Sequence, residues 1–241
     1  MTGPPSEPTA YDKIMNFIKE RIVSSIDETQ RLLPDSILFG SLILYALTHN
    51  LSFGVFSIFL VESSLLHKLI DIIFSKAVGG STPAKSLKCI PGFRSSKIDF
   101  ESILTKFNRQ SGTLLPGHGY PSFGIFTIAS MAAYIGSAMT VFKETMTTMG
   151  SEWNMRYNLA IGFILAFLVI FVLTRYIRSC DSGGGIATAL LFGVIIGVGL
   201  FYLNKMLFGP ESMNFLGLPF LVSKTAGGGP IYVCTPATPG K

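Results

Sequence analysis

The residues best suited to chemistry in this chain are few, and they sit at the edges of apolar runs. Lys88 and Arg94 lie in KCIPGFR, His118 in PGHGYPS, Ser122 at the start of a long apolar run, and Arg175 and Asp181 in TRYIRSCDSGGG. A guanidinium fork or an ammonium can hold phosphate oxygens, so the basic cluster around Lys88 and Arg94 is suited to an anion site or to an acidic partner as well as to a topology signal. His118 could act as a general acid, because imidazole titrates near neutrality, and Asp181 could accept a phosphoryl group as a carboxylate nucleophile. Each has a plainer alternative. His118 in a Gly-Pro turn is more often a solvated loop residue, and Asp181 beside Arg178 is more often a paired surface charge or the cap of the next helix.

No metal and no cofactor is expected. His49 and His67 are eighteen residues apart with no carboxylate at ligand spacing, and both read as interfacial or structural. Cys89, Cys180 and Cys234 are scattered and form no CxxC, so isolated buried thiols are expected, although one pair could bridge if its loops face an oxidising compartment. There is no phosphate-binding glycine loop and no dinucleotide fingerprint, and no specific nucleic-acid partner is indicated.

The elements that must position these residues belong to a membrane. Tyr157 to Thr174 is an eighteen-residue run without a charge, ended by Arg175 and Arg178, and similar runs cover Ser122 to Phe142 and Gly183 to Asn204. About 20 helical residues cross a hydrocarbon layer of about 30 Å, and runs this long and uninterrupted exclude a barrel. Composition agrees: 49% hydrophobic and 14% charged residues, with a mean hydropathy of +0.50, are unusual for a soluble domain. The expected fold is therefore an all-α integral membrane protein, multi-pass, with about five transmembrane helices in one bundle over residues 36–206. The stretch MTGPPSEPTAYDK is polar, so no cleavable signal is expected.

Around that bundle, residues 1–35 read as a polar tail and an amphipathic helix, with Ile14, Ile18, Ile22 and Ile26 on one face. Asp35 and Ser36 offer caps for the next helix after Pro34. The apolar stretch from Ser36 has two alternatives. It forms one span to Val61 followed by an amphipathic segment, or two spans turning at His49 and Asn50, which carries Glu62 into the bilayer. Residues 77–120 form a polar insert with a short helical reading around Asp99 to Phe107. From Lys76 to Arg109 it has seven basic residues against Asp99 and Glu101, which by the positive-inside rule places it on the cytosolic side. Gly193 and Gly197 form a GxxxG suited to close helix approach, within the bundle or between copies. Residues 207–241 read as an interfacial segment and an extended tail.

In order and topology, Lys88 to Arg94, YPSFG at 120–124 and TRYIRSCDSGGG at 174–185 resemble the three motifs of the type-2 phosphatidic acid phosphatase superfamily, over roughly residues 36–206. That resemblance implies a membrane-embedded helical bundle, favours two spans before the insert, and implies a phosphate held by basic residues. The family attacks a phosphoester with a histidine oriented by an aspartate, while a second histidine donates a proton. Here Gly124 stands at the position of that second histidine, Asp181 at the nucleophile and Gly185 at its orienter, and Ser95 follows Arg94 where the family has proline. The resemblance thus implies a retained anion site, Lys88, Arg94, Ser122 and Arg175, without turnover.

The expected function is a non-enzymatic structural membrane protein that anchors or bridges partners at a lipid bilayer. In overall style the chain resembles membrane proteins of large nucleocytoplasmic DNA viruses, which link a virion's internal membrane to its capsid shell. That likeness implies capsid proteins as partners of the basic insert and tails. The alternatives are a divergent lipid phosphate phosphatase using Asp181 or His118, and an anionic-lipid binding or transport module.

Overall fold

The structure is a computed structural model that describes residues 17, 24–78, 92–95, 98–101, 121–148 and 151–215. Helices account for nearly all of them: α1 (Ser24–Thr48), α2 (Leu51–Val78), α3 (Phe123–Val141), the short α4 (Lys143–Thr148), α5 (Ser151–Ile177) and α6 (Gly183–Phe208). Among the described residues four stretches are long and apolar enough to cross a membrane, Leu51–Phe74, Phe123–Val141, Glu152–Ile177 and Gly183–Phe208. A shorter apolar stretch, Leu32–Thr48, makes the fifth expected helix, and its 17 residues reach only about 25 Å at the helical rise.

Before the insert, two helices form. The turn between them uses His49 in the left-handed region, at φ 51°, whose N–H donates to the Tyr45 carbonyl at 2.8 Å. Asn50 then starts α2 by accepting from the Ser52 N–H at 3.0 Å. The single span to Val61 is therefore excluded. Pro34, however, does not separate two helices. It lies inside α1, buried, and the segment expected as a separate amphipathic helix runs straight into the apolar one from Ser24 onwards. A proline costs one intrahelical bond, and Asp35 and Ser36 are interior positions of α1, not caps.

The insert also departs from expectation. Gly92–Ser95 (β1) and Ile98–Glu101 (β2) pair as an antiparallel hairpin, with Phe93 opposite Phe100 and Arg94 opposite Asp99. Aromatic and β-branched content suits the pleated backbone better than the expected helix at Asp99. The remainder of that helical reading, and most of the polar tails, lie outside the described residues.

Packing centres on α3 and α6, which share the most extensive contact in the fold. The GxxxG of α6 is used there: a Cβ added at Gly193 would meet the Phe126 carbonyl and Ala129 Cβ at 2.8 Å, and one at Gly197 would meet Ala133 Cβ at 2.9 Å and the Ser130 carbonyl. This motif therefore closes the bundle on itself. Serine pairs tie other helices, with Ser41 and Ser57 hydroxyls 2.7 Å apart across α1 and α2, and Ser63 and Ser130 3.0 Å apart across α2 and α3. At the far end Tyr134 is fully buried and stacks on Phe59, with ring centroids 4.0 Å apart. The segment after α6 was expected at the interface. Instead a 3₁₀ turn, Pro210–Met213, folds back so that Met213 is fully buried and the Phe215 ring meets Phe56 edge-on.

The outer helix α5 differs from the rest, because only 6% of its apolar window is buried. Near its start, Arg156 lies over the Trp153 ring and Lys143 of α4 lies over the Tyr157 ring. Cations and aromatics of this kind mark a water boundary at the end opposite Arg175.

Candidate functional site

Three helix ends and the second half of α2 meet at one pole of the bundle, and they bring polar groups into a largely buried cluster. Arg175, in the last turn of α5, donates from Nε to Asp181 Oδ2 at 2.6 Å, with the two side chains only 7% and 2% exposed. These residues are six apart, too far along a helix to face each other. Their meeting depends on how α5 ends. Ser179 takes φ 53°, its N–H donates to the Tyr176 carbonyl, and the Cys180 N–H donates back to the Arg175 carbonyl at 3.0 Å. This is a Schellman-type stop with serine where glycine is usual, and it returns the chain toward Arg175. The cap of α6 is then Ser182, whose hydroxyl accepts from the Gly185 N–H at 3.2 Å.

Asp181 is therefore not the cap of α6, which is Ser182; it forms a buried pair with Arg175. Against this pair packs the start of α3. A Cβ added at Gly124 would lie 3.5 Å from Arg175 Nη1, so the bare glycine surface seats the guanidinium. Ser122 caps α3 through its backbone, and its hydroxyl is buried with no hydrogen-bond partner. The Ser122 N–H points to the Gly185 carbonyl at 3.5 Å, which links the starts of α3 and α6.

From α2 comes His67, which the sequence reading left as interfacial or structural. His67 is 1% exposed, and its Nε2 lies 2.9 Å from the Pro121 carbonyl. A carbonyl only accepts, so Nε2 carries the proton. The imidazole is wedged between the Phe123 and Phe126 rings, at centroid distances of 5.1 and 4.8 Å. One residue on, Lys68 Nζ lies 3.9 Å from Asp71 Oδ2, both side chains again largely buried. The signal was present as HKLID, a run of polar groups inside an apolar helix.

Of the residues proposed for anion binding, Ser122 and Arg175 are brought together, and Asp181 joins them. Arg94 sits in β1, whose neighbouring element is α1. Lys88 and His118 lie outside the described residues. The expected isolated thiols need correction, because Cys180 is disulfide-bonded. It stands one residue from Asp181, directly after the helix stop, and the other two cysteines, Cys89 and Cys234, lie outside the described residues. Among the described residues no group of three or more His, Cys, Asp or Glu is placed to hold a metal. No family model, no curated protein and no solved structure matches this chain.

Chemically, the pair ties the end of α5 to the start of α6. Asp181 already accepts a short charge-assisted bond from Arg175, which leaves that oxygen less available to attack an incoming phosphorus centre. His67 has its Nε2 proton committed to a backbone carbonyl. The pole reads as a polar clamp that joins α2, α3, α5 and α6.

Proposed function

We propose that this protein is a non-enzymatic, multi-pass membrane protein that anchors or bridges partner proteins at a bilayer. Four helices of sufficient length and apolarity support the membrane setting. The observation that carries the non-enzymatic reading is the Arg175–Asp181 pair, at 2.6 Å and almost wholly buried, where the phosphatase-like motif would need an available nucleophile. The basic insert 77–120 is the proposed docking surface, set on the cytosolic side by its charge. The finer setting, a virion's internal membrane joined to its capsid shell, is supported by the chain's overall style.

A second reading, binding of an anionic headgroup without turnover, is favoured by one observation: the Ser122 hydroxyl, two residues from the Gly124 that seats Arg175, is buried with no hydrogen-bond partner among the described residues. One preparation tests both. Purified protein in mixed micelles with phosphatidic acid is expected to release no phosphate above background. Release that disappears in Asp181→Asn or Arg175→Ala would make the protein an enzyme, and saturable phosphatidic acid binding without release would select the second reading.

A further inference from the structure

Glu62 is the least expected polar residue in the bundle. It stands in the middle of the apolar stretch Leu51–Phe74, about 16 Å along α2 from Leu51 at the helical rise. Among the described residues one donor reaches it, Asn204 Nδ2, 3.2 Å from Oε2. The Asn204 side chain is itself fully buried, and its Oδ1 has no partner. The same amide nitrogen also lies 3.5 Å from the Tyr134 hydroxyl, so its two N–H groups serve both acceptors and offer Glu62 a single bond. Glu62 is only partly buried, and what lies beside it is a cleft of about 510 Å³ between α1, α2 and the end of α6. Leu38, Leu42, Tyr45, Ile58 and Phe208 wall that cleft, and Glu62 is its acidic group.

The volume lies within the roughly 300–1,000 Å³ of small-molecule sites, whose apolar walls carry a few orienting polar groups. An acceptor at this depth calls for a donor. A charged ammonium would carry a desolvation cost of its own so far from water, whereas a hydroxyl would not. Tyr45, Leu42 and Ile58 are exposed on the outer face of the helices, so the cleft is open to what surrounds them.

We propose that this cleft binds a neutral lipid alcohol, with its apolar body against α1, α2 and Phe208 and its hydroxyl donating to Glu62. The site rests on the proposed membrane setting, because its ligand reaches it through the bilayer. The full chain in lipid nanodiscs, labelled with a diazirine-bearing hexadecanol and mapped by mass spectrometry, tests it. Labelling is expected on Leu42, Tyr45 and Ile58, with hexadecanol competing and hexadecane failing to compete. Glu62→Leu is expected to raise the competing concentration of hexadecanol roughly tenfold, the effect of losing one hydrogen bond. Ile58→Trp, which narrows the rim and leaves Glu62 alone, is expected to reduce labelling in a protein that still incorporates. Equal competition by hexadecane, or labelling spread evenly onto Phe163 and Leu165 of α5, would overturn the site. Failure of the wild-type chain to enter nanodiscs would overturn the membrane setting and the site with it.

Discussion

Arg175 and Asp181 show how a charged pair can be structural at the edge of an apolar bundle. Removing one member leaves the other buried without its partner, which is costlier than never having had the pair. Arg175→Ala is therefore expected to destabilise the protein by about 3 kcal/mol, and Arg175→Met with Asp181→Leu to recover much of that loss, read as thermal midpoints in detergent. Unchanged midpoints in the single variant would mean that the clamp holds nothing. Ser179 sits in a backbone region that glycine occupies without strain, at φ 53°. Ser179→Gly should raise stability by about 1 kcal/mol in the same measurement, since the left-handed residue at the helix stop no longer carries a Cβ. At this scale the sequence was only half legible. The residue types were visible, but Asp181 reaches Arg175 through a turn that no glycine announces. Likewise the Glu62 to Asn204 contact joins residues 142 apart.

Among the elements, hydrophobic runs marked four long helices, and the turn at His49 and Asn50 fell where a two-helix reading put it. Two local rules misled. Pro34 was read as a boundary, yet a helix can absorb one lost bond when its flanks pack, and Leu38 and Ser41 beyond it are buried. Asp99 was read as helical, yet a hairpin is set by cross-strand pairing that a single segment does not display. The α3 and α6 contact offers the sharpest test at this level. Gly197→Leu should disrupt the bundle, because the new side chain meets backbone at Ser130, whereas Gly199→Ala should be neutral, since nothing lies within 4 Å of an added Cβ. Size-exclusion profiles of the two variants in one detergent separate the outcomes; a normal profile for Gly197→Leu would contradict the close packing.

Across the whole molecule, the end of α2 and the start of α3, which the insert joins in sequence, lie at the same pole as the loop 178–182, so in the proposed membrane setting the insert leaves and re-enters the bundle on the side of Cys180. These two features pull in opposite directions. Basic loops favour the cytosol, and disulfides persist in oxidising compartments. With three cysteines in the chain, one intramolecular bond leaves one thiol to alkylate before reduction and three after it. Three before reduction would remove the disulfide from the account. Protease added to sealed vesicles is expected to cut within 79–120 from the cytosolic side; cutting only after the vesicles are opened would reverse the orientation and side with Cys180.

The sparse burial of α5 has a further consequence. Its buried positions, Phe171 and Arg175, lie toward its C-terminal end, and its stretch Glu152–Ile177 matches α6 for the highest hydropathy of the four, at 2.4. Shape complementarity holds α3 and α6 in register; solvent preference alone holds most of α5. Such a helix is indifferent to which apolar residue stands at Phe163 or Leu165, and intolerant of a charge at either. Its sequence is thus free to drift within one chemical class, while the glycines facing α3 are not.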